Sequence, residues 1–241
     1  MSEHKHIVSA FEQEMQALKA RIIEMGGLAE RSVTDAVSAL DTRDIELAAR
    51  TVTADRRIDD MESEIEEQAI LMLARRQPMA VDLREVMAAM RIASNLERIG
   101  DLAKNIAKRT GAIGTERQPR QVSRGVSHMA DLALLQLRDV LNACASRDIA
   151  KAVAVRSRDG EIDALYNSLF RELLTYMMED PRSITMATHL LFCAKNIERI
   201  GDHATNIAET VYYMVTGNRL TGERQKDDSH NYATIPFPPA T

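Results

Sequence analysis

Glu97, Asp101 and Asn105 are spaced four residues apart, so on a helix their oxygen-bearing side chains stack one turn above another along a single stripe. Glu198, Asp202 and Asn206 repeat the arrangement. Two more pairs at one-turn spacing, Asp55 with Asp59 and Asp159 with Asp163, lie on the helices predicted to precede them. If the stripes face each other, each half of the chain gathers four carboxylates in one patch. Two like charges about 6 Å apart, at an effective dielectric near ~20, repel by roughly 3 kcal/mol, so such a patch calls for a cation. All-oxygen donors suit hard divalent ions such as Mg²⁺, Ca²⁺ or Mn²⁺, and carboxylates also bridge iron in clusters. Closed structural zinc sites take Cys or His at set spacings, which this sequence does not supply.

The plainer reading is a solvated acidic face. An exposed acidic pair one turn apart costs only tenths of a kcal/mol, and Arg98 can neutralise Asp101 at i+3, as Arg199 can neutralise Asp202. Against it stand the duplication of the whole stripe and the mid-helix Gly100 and Gly201, each of which carries a helix penalty of about 1 kcal/mol relative to alanine. The histidines His128, His189 and His203 are scattered, and only His203 lies beside a stripe. A lone helical histidine is more often a satisfied or solvated side chain than a ligand.

The elements that must position these residues follow from apolar spacing. Phe11, Met15, Leu18, Ile22, Met25 and Ala29 recur at intervals of four and three, the seam of a bundle helix that runs to about Leu40. Gly26 and Gly27 predict a kink or a close helix approach within it. Asp44 caps a second helix with Ile58, Met61, Ile65 and Met72, which ends at Gln77 ahead of Pro78. A third, with Ile92, Leu96, Ile99, Ala103 and Ile106, fades at Gly111 and Gly114. The second half repeats the plan. Ala130, Leu134, Leu137, Leu141 and Cys144 mark a fourth helix after Pro119, and Asp148 caps a fifth with Ile162, Leu165, Leu169 and Leu173 that stops near Asp180 and Pro181. The sixth carries Cys193, Ile197, Ile200, Ala204, Ile207 and Val211 to a left-handed stop at Gly217. On the seam positions so defined, Glu97, Asp101 and Asn105 fall on the side away from the core.

The halves are copies. Residues 95–107, NLERIGDLAKNIA, match 196–208, NIERIGDHATNIA, at ten of thirteen positions, and Arg43-Asp44-Ile45 recurs as Arg147-Asp148-Ile149. Short connections force antiparallel neighbours, so the fold class is all-α: two tandem three-helix bundles of six long helices, the first over 1–114, the second over 115–216, followed by a polar, flexible tail over 217–241.

Composition narrows the function. Aromatic residues make up only 4% with no Trp, and the helix-favouring Ala, Leu, Ile, Met, Arg and Glu dominate. A net charge of −5 without a block of Lys or Arg argues against nucleic acid as a partner. The opening MSEHKHIVSAFEQEM lacks the apolar core of a secretory signal and no stretch is apolar enough to span a bilayer, so a cytoplasmic location is expected. Cys144 and Cys193 sit on apolar positions and read as inert core thiols, and the 13 methionines as core filler. The phosphate-loop, dinucleotide, serine-elbow and HExxH signatures are absent, and the one Glu-x-x-His, Glu3 to His6, lies in the N-terminal tail rather than inside a bundle helix, so an enzyme is not expected.

The two copies of the N[LI]ERIGD…NIA motif, with EMGGLAE at 24–30, the ARRQP…DLR stretch over 74–84 and TYMMED at 175–180, resemble the PhoU family of phosphate-transport regulators. The resemblance covers both bundles and stops near Gly217. It implies a cytoplasmic regulator, commonly a homodimer, that represses the phosphate-starvation (Pho) response and restrains uptake through contacts with the ATPase subunit of the phosphate ABC transporter and with a sensor histidine kinase. The family's Glu/Asp-x-x-x-Asp motif, associated with metal clusters in some members, maps onto Glu97 with Asp101 and Glu198 with Asp202, and its helix-two counterparts onto Asp55 with Asp59 and Asp159 with Asp163. Asn105, Asn206, Arg98 and Arg199 are the auxiliary or partner-contact positions, and the same acidic face suits an arginine-rich partner. Two other readings of the stripes stay open: a metal-dependent carboxylate-cluster enzyme and a purely structural helical scaffold.

Overall fold

The structure is a computed structural model and describes residues 2–113 and 120–221, with side chains from 10 to 113 and from 122 to 221. The expected bundle boundary at 114/115 and most of the expected tail lie outside the described residues. In chain order the helices are α1 (Ser2–Thr42), α2 (Ile45–Ala54), α3 (Arg56–Arg76), α4 (Val81–Ile113), α5 (Arg120–Ser146), α6 (Ile149–Ser157), α7 (Asp159–Glu179) and α8 (Ile184–Thr216), with a 3-10 turn over Pro181–Ser183. Helix α1, the pair α2/α3 and α4 form the first three-helix bundle; α5, the pair α6/α7 and α8 form the second.

The expected second and fifth helices are each broken into two. The first break falls at Asp55, whose carbonyl accepts from Ile58 N at 2.8 Å, and the second at Arg158, whose carbonyl accepts from Glu161 N at 3.1 Å. Both are tight i→i+3 bonds of the kind that interrupt an α-helix. The caps behave as their residue types dictate: Asp44 Oδ1 accepts from Leu47 N at 2.8 Å and Asp148 Oδ1 from Lys151 N at 3.0 Å. Gly217 ends α8 with φ +74, its N–H donating to Tyr213 O at 2.8 Å.

The predicted seams form the core. Leu18, Met25, Ile65, Leu96, Ile99 and Ile106 are buried in the first bundle, and Leu137, Leu173, Ile197, Ile200, Ile207 and Val211 in the second. One apolar cluster runs through both bundles, because α1 packs on α5 and α4 on α8. Leu141 is only half-buried within its own seam because it reaches across to α1, where a Cβ on Gly26 would lie 2.5 Å from its Cδ2. The glycine pair therefore marks a close helix approach, made by Gly26; Gly27 faces open space. Cys193 is buried and Cys144 half-buried, both as free thiols, and burial pushes them up to about 12 and about 11.

Candidate functional site

The acidic ridge of each closing helix does not point away from the core as its register predicts. Glu97 is 16% exposed, and Glu198, the matching residue in the second bundle, is buried. The register argument treats a bundle helix as covered on one side, whereas α4 is packed against α1, α2, α3 and α8, and α8 against α4, α5, α6 and α7. With neighbours on most of its circumference, each ridge lies along the edge of the core beneath the break in the preceding helix. Asn105, Arg98 and Arg199 are exposed, and Asn206 is half-buried.

In the first bundle the break brings Asp55 against α4. Gly100 makes room for it: a Cβ there would lie 3.1 Å from Asp55 Oδ1 and 3.0 Å from Ile58 Cδ1. The mid-helix glycine thus has a packing cause that its sequence position does not reveal. Asp55 is only 2% exposed. Its charge is met by Lys104, whose Nζ donates at 2.5 Å to Asp55 Oδ2 and at 2.5 Å to Asp101 Oδ1. Those two hydrogen bonds, first to Asp101 and then to Asp55, hold the lysine ammonium well above its ordinary range. Around this bridge the remaining acids crowd together. Burial and then the Asp101 carboxylate push Glu97 up, and burial and then Asp55 push Asp59 up. Arg98 lies 3.3 Å from Glu97 and 3.6 Å from Asp101.

The second bundle builds the same corner with different chemistry. Asp159, 6% exposed, opens α7, and its Oδ1 accepts from the Thr205 hydroxyl at 2.8 Å. Thr205 occupies the position of Lys104 in the repeat. Asp159 Oδ2 is buried without a hydrogen-bond partner, as is Oε1 of the neighbouring Gln136, whose Nε2 donates to Arg158 O at 3.0 Å. A Cβ on Gly201 would lie 2.7 Å from Ile162 Cδ1 and 3.4 Å from Gln136 Oε1. Lys195 Nζ stands 2.8 Å from Glu198, and Asp163 and Asp202 are half-buried. His203 turns away from the ridge to the other bundle, its Nδ1 2.9 Å from Asn95 Oδ1, and burial lowers its pKa.

Among the described residues no three His, Cys, Asp or Glu side chains converge closely enough to hold a metal ion. The first corner does not fit a metal as packed, since an ammonium already lies between Asp55 and Asp101. The second fits better, since Thr205 stands where Lys104 brings its ammonium in the first, and a buried amide oxygen, Gln136 Oε1, joins Asp159 Oδ2 in lacking a hydrogen-bond partner. Lys104 and Gln136 are the two residues that sequence reasoning missed. Lys104 left a signal, being one of only three mismatches between the repeated motifs. Gln136 left none, because a glutamine between apolar seam positions reads as a surface residue.

The comparisons agree with this architecture. The family model described as the PhoU domain matches twice, at residues 22–110 and 126–211. The chain belongs to the PhoU family. Both acidic ridges, and the breaks that face them, fall inside the two PhoU matches. A relative from Rhizobium meliloti (strain 1021), named phosphate-specific transport system accessory protein PhoU homolog, is 60% identical across 93% of this chain and 95% of its own length. A homolog of the same name from Caulobacter vibrioides (strain NA1000 / CB15N) is 50% identical across 93% of this chain and 97% of its own. The crystal structure of PhoU from Pseudomonas aeruginosa superposes with a TM-score of 0.84 at 38% identity, covering 86% of this chain and 100% of that one.

Proposed function

We propose that this chain is a negative regulator of the phosphate-starvation response and a modulator of phosphate uptake, acting as an adaptor between the ATPase subunit of a phosphate ABC transporter and its sensor histidine kinase. The observation that supports this most is the full-length kinship with proteins named as accessory to phosphate-specific transport, together with both PhoU domains on one continuous core. No described helix is long and apolar enough to cross a membrane, so membrane-bound partners would be met through the faces of the bundles. On this reading the protein is cytoplasmic, works as a homodimer and does no chemistry of its own. Deleting the chain from its host should switch on phosphate-starvation genes in phosphate-rich medium, read as transcript levels; unchanged expression would sink the proposal.

The acidic corners divide the work. In the first, Lys104 answers the buried charge of Asp55, and the carboxylates around it serve as an acidic face. The second is the one we assign to a hard divalent cation, held by Asp159 with Asp202 and Gln136, the ion supplying the positive charge that Lys104 supplies in the first bundle. Glu198 and Asp163 complete the acidic surround, with Asp159 Oδ2 as the atom that calls for the ion.

A further inference from the structure

The internal repeat makes the two ends of the antiparallel α4/α8 pair equivalent: Arg109 and Phe192 at one end correspond to Thr210 and Arg91 at the other. At the first end the space between the helices is filled. The Arg109 guanidinium lies 4.1 Å over the Phe192 ring and its Nη1 is 3.2 Å from His189 Nδ1. At the second end the short Thr210 faces Arg91, and a cleft of about 390 Å³ is left open, lined by Arg91, Asn206, Thr210, Tyr213 and Arg219, with Glu209 at its side.

Arg219 reaches this cleft because Gly217, at φ +74, reverses the chain beyond α8, and the Thr216 hydroxyl fixes the return by accepting from Asn218 N at 3.0 Å. Arg219 and Leu220, expected to belong to a flexible tail, thus form a wall of the cleft, and this wall lies beyond the PhoU match that ends at 211. Neither Arg91 nor Arg219 forms an ion pair among the described residues, whereas Glu209 is taken by Arg156, whose Nε stands 3.1 Å away. Two unspent guanidiniums therefore converge on a polar hollow of a chain whose net charge is −5. The negative end of the α8 dipole opposes an anion here, so both arginines are needed to favour one. The volume exceeds what a single phosphate ion needs and falls in the range of small-molecule pockets, roughly 300–1,000 Å³.

We propose that this cleft binds a phosphorylated small molecule of nucleotide size, its phosphate oxygens gripped by the forked donors of Arg91 and Arg219 and its remaining body lying on the Tyr213 ring within reach of Asn206 and Thr210. The test is calorimetric titration of the full chain, in buffer with chelator so that the acidic corners take no part, using ATP, AMP, pyrophosphate and inorganic phosphate as probes. ATP should bind more tightly than inorganic phosphate or pyrophosphate, and binding should weaken as salt rises. The double variant R91A/R219A, confined to exposed side chains, should lose at least about tenfold in ATP affinity at unchanged helicity and melting temperature, where tenfold corresponds to about 1.4 kcal/mol. The swap R91F/T210R, which rebuilds the filled end, should abolish binding. No binding of ATP at millimolar concentration, equal affinity in R91A/R219A, or ATP binding no tighter than inorganic phosphate would each overturn the proposal.

Discussion

The two acidic corners share a backbone plan and differ in how a buried carboxylate is satisfied. Asp55 and Asp159 both sit at a helix break and both are almost out of water, with Gly100 making room for Asp55 in one corner and Gly201 for Ile162 and Gln136 in the other. One is met by the Lys104 ammonium, the other only by the uncharged Thr205 hydroxyl, and each keeps one buried oxygen without a hydrogen-bond partner, Asp55 Oδ1 and Asp159 Oδ2. A buried charge without a counter-charge costs several kcal/mol, so the same fold carries one finished corner and one that a cation would finish. Gene duplication copies geometry more faithfully than it copies charge.

The largest expected effect comes from removing the built-in cation. Lys104→Met strands Asp55 and should cost about 3 kcal/mol, the lower end for breaking a buried pair because the lysine is 22% exposed, read from the midpoint of urea unfolding. Restoration of that loss by Mn²⁺ would show that the first corner can be converted into the second. Next in size, Mn²⁺ at a hundred times its dissociation constant should stabilise the unmodified chain by about 2.7 kcal/mol. Thr205→Lys should abolish that gain; a gain that survives would place the ion elsewhere and break the comparison.

The glycines give a smaller contrast. Gly100→Ala presses on both Ile58 and the pinned Asp55, whereas Gly201→Ala chiefly displaces the terminal methyl of Ile162. Overpacking costs of about 1–3 kcal/mol less the roughly 1 kcal/mol gained in helix propensity should leave Gly100→Ala the more destabilising of the two in thermal melts. The smallest effect is electrostatic. Glu97 and Asp59 are raised in the folded state, so they favour folding most when protonated and weaken it as pH rises through the carboxylate range. Glu97→Gln should therefore raise neutral-pH stability by about tenths of a kcal/mol and flatten the stability profile between roughly pH 4 and 6. An unchanged slope would show that the Glu97 carboxyl is not under the pressure its neighbours impose.

Much of this architecture is legible in the sequence. The seam spacing of Leu18, Ile22 and Met25 or of Ile197, Ile200 and Ala204 dictates helices and their buried faces, because periodicity is a local property of the chain. Asp44 and Asp148 announce their helix starts for the same reason: a cap is made within three residues. The break at Asp55 has no glycine or proline beside it and so leaves no local mark, whereas Gly160, two residues past Arg158, is a weak local mark of the second.

Six helical segments, their duplication and the one-turn spacing of Glu97 with Asp101 and of Glu198 with Asp202 are all written in the order of the residues. It takes the packed helices to sink these ridges half into the core's edge, to set Lys104 against Asp55 in one corner and Gln136 and Thr205 around Asp159 in the other, and to bring Arg219 toward Arg91 through the turn at Gly217. The reason is range. Helix spacing is set by bonds spanning four residues, whereas burial and charge pairing depend on which distant surface covers a side chain, and each of α4 and α8 is covered by four.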